Sequence, residues 1–305
     1  MRPTALVLLL LLPATASAIN IIQSNDDGWA EINIRELYSQ LTNAGFSSII
    51  SAPADNESGT GSADTPPTPV GKNGCEFLSC APNSPPTGKN ESMPRWNYVN
   101  SYPVTSIRYG IETLSPKFFG GAGLPDLAVT GFNVGTNLGI VTQFSGTVGA
   151  AVEAAKAGVP AIAFSGSTGS QTAWNAPMGE YVKIYAELST NVTKTLTETS
   201  RPWLPEDTWL NVNFPAVSET CKCAADFKFV LSRIYPKVPI VGAPDVETCG
   251  SDDLPTERTV VGTEGCYASI SVGELNKTDA GEKEQAIVLE KLKSILSCLP
   301  KGSYR

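Results

Sequence analysis

The amino-acid sequence predicts an α/β fold, with a mostly parallel sheet, helices on both faces of it, and a C-terminal β-rich arm or hairpin extension. Three observations support this fold class. Residues 19–53 show the order strand, helix, strand, and residues 127–165 repeat that order. After residue 208 the pattern changes to short strand-like pieces separated by Pro, Gly and acidic turns. Repeated alternation of strands and helices is typical of a Rossmann-like open sheet.

The first fifty residues after the N-terminal segment predict a βαβ unit. Residues 19–24 (INIIQS) form a short apolar run without helical spacing, which indicates a buried strand. From residue 30 apolar side chains recur every three or four positions until Gly45, where the helix is expected to stop. Residues 46–53 then form a second strand. Two strands joined by a helix in this way are expected to be parallel, with a right-handed crossover.

The remaining segments extend the same pattern and interrupt it twice. Residues 127–130 (LAVT), 147–157 and 161–165 predict strand, helix and strand. Residues 62–97 are rich in Pro, Ser, Thr and Gly, which indicates an insertion, and residues from about 209 to 275 form the predicted β-rich extension.

The N-terminus has the three parts of a secretory signal peptide. A basic Arg2 precedes an apolar run that Pro13 ends too early for a membrane span, and small residues lead to Ala18. We predict cleavage after Ala18, a single domain over residues 19–305, secretion to the extracellular space, and no membrane association after the signal is removed.

Cysteines and sequons fit an exported chain. In an oxidising compartment seven cysteines predict disulfides with one thiol left over, and a structural zinc site is the alternative. Cys75 and Cys80 are expected to close a small loop within the insertion. Four Asn-X-Ser/Thr triplets predict a glycoprotein: Asn56, Asn90, Asn191 and Asn276.

Charge and composition exclude several functions. The formal net charge is -8 and the sequence pI is about 4.8, which argues against a nucleic-acid polymer as partner. The chain contains no histidine, so Ser-His-Asp triads, Cys-His pairs, phosphohistidine chemistry and His-ligated zinc are impossible within it. Carboxylate, hydroxyl and amide groups around a hard cation remain for hydrolysis.

Polar clusters follow the predicted strands where ligands bind in open α/β sheets. The first cluster is residues 25–28 (NDDG), the second residues 55–59 (DNESG), and the third residues 131–137 (GFNVGTN). Together they can supply the oxygen ligands of a divalent cation, whereas the alternative is a set of plain polar turns. Ser145 to Thr147 open an Ala-rich helix, where unpaired amides predict a phosphate seat or, alternatively, a simple N-cap.

Four segments resemble, in order and spacing, the signature blocks of the SurE family of survival proteins and nucleotidases. They are SNDDG (24–28), DNESG (55–59), TGFNVGTN (130–137) and FSGTVGAAVEAAKAGVPAIAFS (144–165). The resemblance implies a Rossmann-like core, metal-dependent nucleotidase or acid phosphatase activity on small phosphate monoesters, and a homodimer or higher homo-oligomer.

The resemblance also implies site residues. A divalent cation, Mg²⁺ or Mn²⁺ with Ca²⁺ as the alternative, would be bound by Asp26, Asp27, Ser58 and Asn133. The predicted catalytic residues are Asp26 and Asp27, with Asp26 as general base for a metal-activated water. The predicted substrate-binding residues, which would lie near the phosphate, are Asn25, Asn137, Ser145, Gly146 and Thr147.

Departures from the family pattern bear on substrate preference. Glu57 stands where the family usually has a basic residue, and residues 102–106 (YPVTS) replace a Thr-Pro-x-Asp-Cys turn. Three alternatives to a phosphatase with a metal-activated water stay open. They are a phosphoryl enzyme with Asp26 or Asp27 as nucleophile, a catalytically silent secreted binding protein with this fold, and a dinucleotide-dependent oxidoreductase, for which NDDG is the wrong turn.

Overall fold

The computed structural model describes residues 18–120, 123–237, 243–300 and 302, so all but the last residue of the predicted signal peptide lies outside the described residues. None of the helices in these ranges is long and apolar enough to cross a membrane. The strands are β1 (Asn20–Ser24), β2 (Ser47–Pro53), β3 (Thr87–Lys89), β4 (Trp96–Val99), β5 (Leu127–Val134), β6 (Ala161–Gly166), β7 (Thr208–Phe214), β8 (Lys228–Ser232) and β9 (Tyr267–Glu274). The α-helices are α1 (Ile32–Asn43), α2 (Pro103–Tyr109), α3 (Ser115–Phe119), α4 (Gly146–Lys156), α5 (Glu180–Thr197), α6 (Glu257–Gly262) and α7 (Glu282–Leu292).

All nine strands form one sheet in the order β3-β4-β2-β1-β5-β6-β7-β9-β8. The six strands from β4 to β7 in this order are parallel to one another, and β8 is parallel to β9. Only the β3–β4 and β7–β9 pairs are antiparallel. The predicted mostly parallel sheet is therefore confirmed, and the first βαβ unit has the predicted order.

Helices cover both faces of the sheet, as predicted. Successive side chains of a strand point to opposite faces, and β5 shows the consequence directly. Leu127 and Val129 belong to one core cluster together with Leu37 of α1. Ala128 belongs to a second cluster together with Val148 of α4. Because both faces are buried, the central strands are nearly continuous apolar runs rather than alternating ones.

The C-terminal strands differ from the expected arm or hairpin. β7, β8 and β9 are part of the central sheet, with β9 between β7 and β8. β8 and β9 are parallel and joined through α6, so they do not form a hairpin, which requires antiparallel neighbours. Their side chains complete the main core: Leu231, Ile270 and Val272 belong to the same cluster as Val129.

The insertion contains more regular structure than its composition predicts. β3 lies inside residues 62–97, and β4 begins at the end of that range and pairs in parallel with β2. Four residues of strand are too few to produce a clear alternation among the surrounding Pro and Ser, so the sequence pattern did not reveal them.

Disulfide bonds account for six of the seven cysteines. The pairs are Cys75–Cys80, Cys221–Cys266 and Cys249–Cys298, and Cys223 is a free, exposed thiol. The prediction of one thiol left over and of a small loop closed by Cys75 and Cys80 is confirmed.

Candidate metal and phosphate site

The turn after β1 presents two buried carboxylates at the carboxyl end of the sheet. The Asn25 side chain closes this turn, because its Nδ2 donates to the Gly28 carbonyl at 2.9 Å and its Oδ1 accepts from the Gly28 amide at 3.2 Å. Gly28 has a φ of 106°, a backbone conformation that residues with a Cβ rarely adopt. Asp26 and Asp27, which lie between Asn25 and Gly28, are only 2% and 1% exposed. Both polar atoms of Asn25 are thus used in shaping the turn.

Asp26 is held by the N-terminus of α4. Its Oδ2 accepts a hydrogen bond from the Gly146 amide at 3.0 Å, and its Oδ1 accepts one from the Thr147 hydroxyl at 2.5 Å. Burial raises the pKa of Asp26, and the hydrogen bonds from Thr147 and Gly146 oppose that shift. The Ser145 hydroxyl caps the helix by accepting from the Val148 amide at 3.1 Å. The Gly146 amide and the Thr147 hydroxyl, which were predicted to bind a phosphate, therefore bind the Asp26 carboxylate instead. The positive end of a helix dipole stabilises a carboxylate as it does a phosphate.

Asp27 is oriented by the end of β5. Its Oδ2 accepts a hydrogen bond from the Val134 amide at 2.9 Å. Burial raises the pKa of Asp27 well above its usual range, and the nearby charges of Asp26 and Glu31 raise it further. Neither aspartate forms an ion pair with a Lys or Arg in the described part of the chain.

β5 is longer than predicted, and the added residues bring Asn133 to this cluster. The strand continues through residues 131–134, with a shift of register against β6 between Thr130 and Asn133. A Cβ on Gly131 would lie 2.2 Å from the Phe164 carbonyl oxygen, so the strand can pass only with glycine there. The Asn133 Oδ1 consequently lies 3.5 Å from the Thr147 hydroxyl that binds Asp26.

The loop that carries Ser58 is attached to the turn that carries the two aspartates. The Glu57 amide donates to the Asp26 carbonyl oxygen at 2.7 Å, which ties the loop after β2 to the turn after β1. Ser58 itself is exposed, and its amide donates to the Asn56 Oδ1 at 2.8 Å. Of the four predicted ligands, the structure brings Asp26, Asp27 and Asn133 together and leaves Ser58 on the adjoining turn.

The donor set suits a hard divalent cation. It consists of carboxylate, amide and hydroxyl oxygens, which are the ligands of Mg²⁺, Mn²⁺ and Ca²⁺, and it contains no nitrogen or sulfur ligand for zinc. Two buried carboxylates without a cationic partner are expensive unless a cation accompanies them. Within the described ranges no three His, Cys, Asp or Glu side chains gather as a metal site, so the site has two carboxylates and depends on neutral oxygens for the rest.

A buried polar network that the sequence analysis missed fixes Asn137. The Asn137 amide donates to the Asn213 Oδ1 at 2.8 Å, and its Nδ2 donates to the Ser165 hydroxyl at 2.8 Å. The Asn211 Nδ2 donates both to the Asn137 carbonyl at 2.9 Å and to the Glu257 Oε1 at 2.7 Å. Two amides at alternate positions of an otherwise apolar strand, WLNVNF, were the available signal. Side chains two apart share a face, and both of these asparagines contact Asn137.

Glu257 makes this network sensitive to pH. Burial raises the pKa of Glu257 to about 8, above its unfolded value, so the stability that it contributes is full at acidic pH and is lost as the pH rises through about 8. We expect the Tm, measured in chelator, to fall between pH 5 and pH 8.5. Glu257→Gln cannot titrate and should flatten that slope, whereas an unchanged slope would contradict the assignment. Glu31 and Glu76 have pKa values raised to about 8 as well, so part of the slope should persist.

Comparisons with known proteins find similar sequences and a similar fold. Residues 21–232 match the family model described as Survival protein SurE. An acid phosphatase of Yarrowia lipolytica is 34% identical over 290 residues, which cover 85% of this chain and 80% of that protein. A 5′-nucleotidase SurE of Solidesulfovibrio magneticus is 31% identical over 210 residues, or 68% of this chain and 69% of that one. The crystal structure of a SurE protein from Aquifex aeolicus has the same fold, with a TM-score of 0.58 at 22% identity, covering 84% of this chain and 93% of that one.

Proposed function

This chain belongs to the SurE family, and on that premise we propose that it is a secreted, divalent-metal-dependent phosphatase that hydrolyses phosphate monoesters such as nucleotides. The names of the relatives, acid phosphatase and 5′-nucleotidase, indicate a phosphate monoester hydrolase. The observation that carries the proposal is the pair of buried carboxylates, Asp26 and Asp27, which face the end of the sheet without a cationic partner in the described residues.

This pair argues against the catalytically silent alternative. Burying an ionised carboxylate without a cationic partner is destabilising by several kcal/mol before hydrogen bonds offset part of that cost, and two adjacent carboxylates repel each other as well. A protein that only binds a partner gains nothing from such an arrangement. A hydrolase gains a cation site, since a divalent cation bound between the two carboxylates attracts both of them and outweighs their mutual repulsion.

The roles of the side chains follow from their contacts. A divalent cation at Asp26, Asp27, Asn133 and Ser58 would supply Lewis-acid polarisation of the phosphate ester. Asp26 is oriented by Gly146 and Thr147, and we propose that its carboxylate accepts the proton of the attacking water.

The predicted substrate-binding residues divide into two groups. Asn137 is fixed by its neighbours on β6 and β7 at the same edge of the sheet, and we propose that it contacts the phosphoryl oxygens. The polar groups of Asn25, Ser145, Gly146 and Thr147 already have partners within the chain. We therefore propose that these four residues act mainly by positioning Asp26 and the turn that carries it.

The phosphoryl-enzyme alternative needs a carboxylate oxygen free to attack phosphorus. Both oxygens of Asp26 accept hydrogen bonds, and one oxygen of Asp27 does. These contacts disfavour Asp26 as the nucleophile and leave the second oxygen of Asp27 as the candidate for direct attack. Rapid quenching with a ³²P-labelled substrate distinguishes the two mechanisms, because only the alternative leaves label on the protein.

Export and assembly belong to the same proposal. Three disulfides, exposed sequons such as Asn56 and Asn276, and the signal-like N-terminus support an extracellular glycoprotein. The family resemblance supports a homodimer or higher homo-oligomer. Mass determination of the protein secreted from a eukaryotic host, before and after glycosidase treatment, tests cleavage after Ala18 and glycosylation together.

An activity panel tests the proposed function. The purified protein is assayed with nucleoside monophosphates, an aryl phosphate and polyphosphate, in chelator and after addition of Mg²⁺, Mn²⁺ or Ca²⁺. We expect chelation to remove turnover of the monoesters and Mg²⁺ or Mn²⁺ to restore it, because the cation supplies the polarisation. Turnover indifferent to chelator would contradict metal dependence, and no turnover of any monoester would favour the silent binding protein.

A further inference from the structure

A disulfide-closed loop of the insertion lies against the turn that carries the two aspartates. The Cys75–Cys80 loop, residues 75–80, contains the short 3-10 helix Glu76–Leu78 and begins at a buried cysteine, Cys75. The Trp29 Nε1 donates to the Ser79 hydroxyl at 2.9 Å, and the Glu76 amide donates to the Ala54 carbonyl at 3.2 Å. The loop is thus attached both to the turn after β1 and to the end of β2.

Glu76 is the residue of this loop that touches the turn. An ideal Cβ on Gly28 would lie 1.9 Å from the Glu76 Oε1, so the carboxylate packs directly on the Cα of Gly28. Any residue other than glycine at position 28 would displace it. The contact is therefore a second reason, besides the positive φ, for glycine beside Asp27.

Gln171 connects Glu76 to the backbone of Asp27. The Gln171 Nε2 donates to the Asp27 carbonyl oxygen and lies 3.3 Å from the Glu76 Oε2. Gln171 comes from the segment after β6, so three separate parts of the chain meet at this peptide. The Glu76 Oε1 is buried and has no hydrogen-bond partner among the described residues. Such an unpaired buried oxygen destabilises the fold and is uncommon in native proteins, so it calls for an explanation.

We propose that Glu76 is a positioning residue of this hydrolase. Through Gln171 and the Cα of Gly28 it holds the Asp27 peptide, and the Cys75–Cys80 disulfide holds Glu76. The orientation of the aspartate pair toward a divalent cation then depends on an intact disulfide in the insertion. This inference rests on the proposed function, because it assigns a supporting residue to the same cation site.

Mn²⁺ binding, measured by electron paramagnetic resonance on the full chain, is the direct test. Glu76→Ala should raise the Mn²⁺ dissociation constant about tenfold, as is typical when a group supporting a metal ligand is lost. Glu76→Gln should retain the wild-type value, since its amide oxygen can still accept from Gln171. Equal weakening by both variants would mean that only the charge of Glu76 matters and would overturn the positioning role.

A double-mutant cycle and matched controls sharpen the test. Gln171→Ala, at an exposed position, should weaken Mn²⁺ binding like Glu76→Ala, and the double variant should be no worse than either, since both break the same connection. If Glu76→Ala does not fold, the Gln171→Ala variant alone tests the same connection. Glu91→Gln, at an exposed glutamate of the same insertion, is the control expected to bind normally.

The disulfide is tested separately. The Cys75→Ala/Cys80→Ala variant should lose Mn²⁺ affinity, whereas Cys249→Ala/Cys298→Ala, which removes a disulfide elsewhere, should not. Wild-type affinity in both Glu76→Ala and Gln171→Ala would refute this inference while leaving the proposed function intact. A wild-type protein that binds no Mn²⁺ and hydrolyses no monoester would refute both.

Discussion

Asp26→Asn is expected to lower kcat/KM by about a hundredfold to a thousandfold, while the protein stays folded. The substitution removes one of two carboxylates available to a cation, and it removes the proposed proton acceptor. The fold should persist because an asparagine can still accept from the Gly146 amide and donate to the Thr147 hydroxyl, which replaces both native contacts. Steady-state hydrolysis of an aryl phosphate at saturating Mn²⁺ measures the effect.

Stability and a control separate this loss from misfolding. In chelator the Tm of Asp26→Asn should equal or exceed that of the wild type, because the repulsion that raises the pKa of Asp27 is removed. Asp207→Asn is the matched control, since Asp207 is exposed at the opposite end of the sheet and has a positive φ that asparagine tolerates. Full turnover of Asp26→Asn would refute the site assignment.

Gly146→Val is expected to lower kcat about a hundredfold and to weaken metal binding at the same time. Viewed as part of a phosphate seat, Gly146 would affect phosphate binding but leave metal affinity unchanged. The structure changes that expectation, because a Cβ on Gly146 would lie 2.8 Å from the Cβ of Asp26 and 2.8 Å from Cγ of Pro103. Asp26 must therefore move, and the carboxylate that moves is a proposed metal ligand.

Comparison with Gly262→Ala tests this explanation. Gly262 is also the end residue of a helix, α6, and a Cβ there meets nothing within 4 Å. We expect wild-type kinetics from Gly262→Ala. If Gly146→Val weakened inhibition by inorganic phosphate but bound Mn²⁺ normally, α4 would bind phosphate directly, and the contact with Asp26 would be secondary.

Local pattern was sufficient for much of the fold. Apolar runs bounded by turns predicted β1, β2 and β6 within a residue or two, and Ala-rich spacing closed by Gly158 predicted α4. These elements lie in the centre of the fold. Their neighbours bury them on both faces, so their sequences are continuous runs of apolar residues that are easy to recognise. β4 and the extension of β5 past Gly131 were not recognised, because short length and a glycine in mid-strand both imitate a loop.

The sequence by itself predicted the class of chemistry. With no histidine in the chain, it favours oxygen ligands around a hard cation for hydrolysis, and the family resemblance predicts that Asp26 and Asp27 lie at the centre of that site. Only the tertiary structure decided what surrounds them: Gly146 and Thr147 on Asp26, the Asn137 network with Glu257, and Glu76 against Gly28. These contacts join residues from 28 to 121 positions apart, and no local sequence pattern shows which distant side chains a sheet brings to one edge.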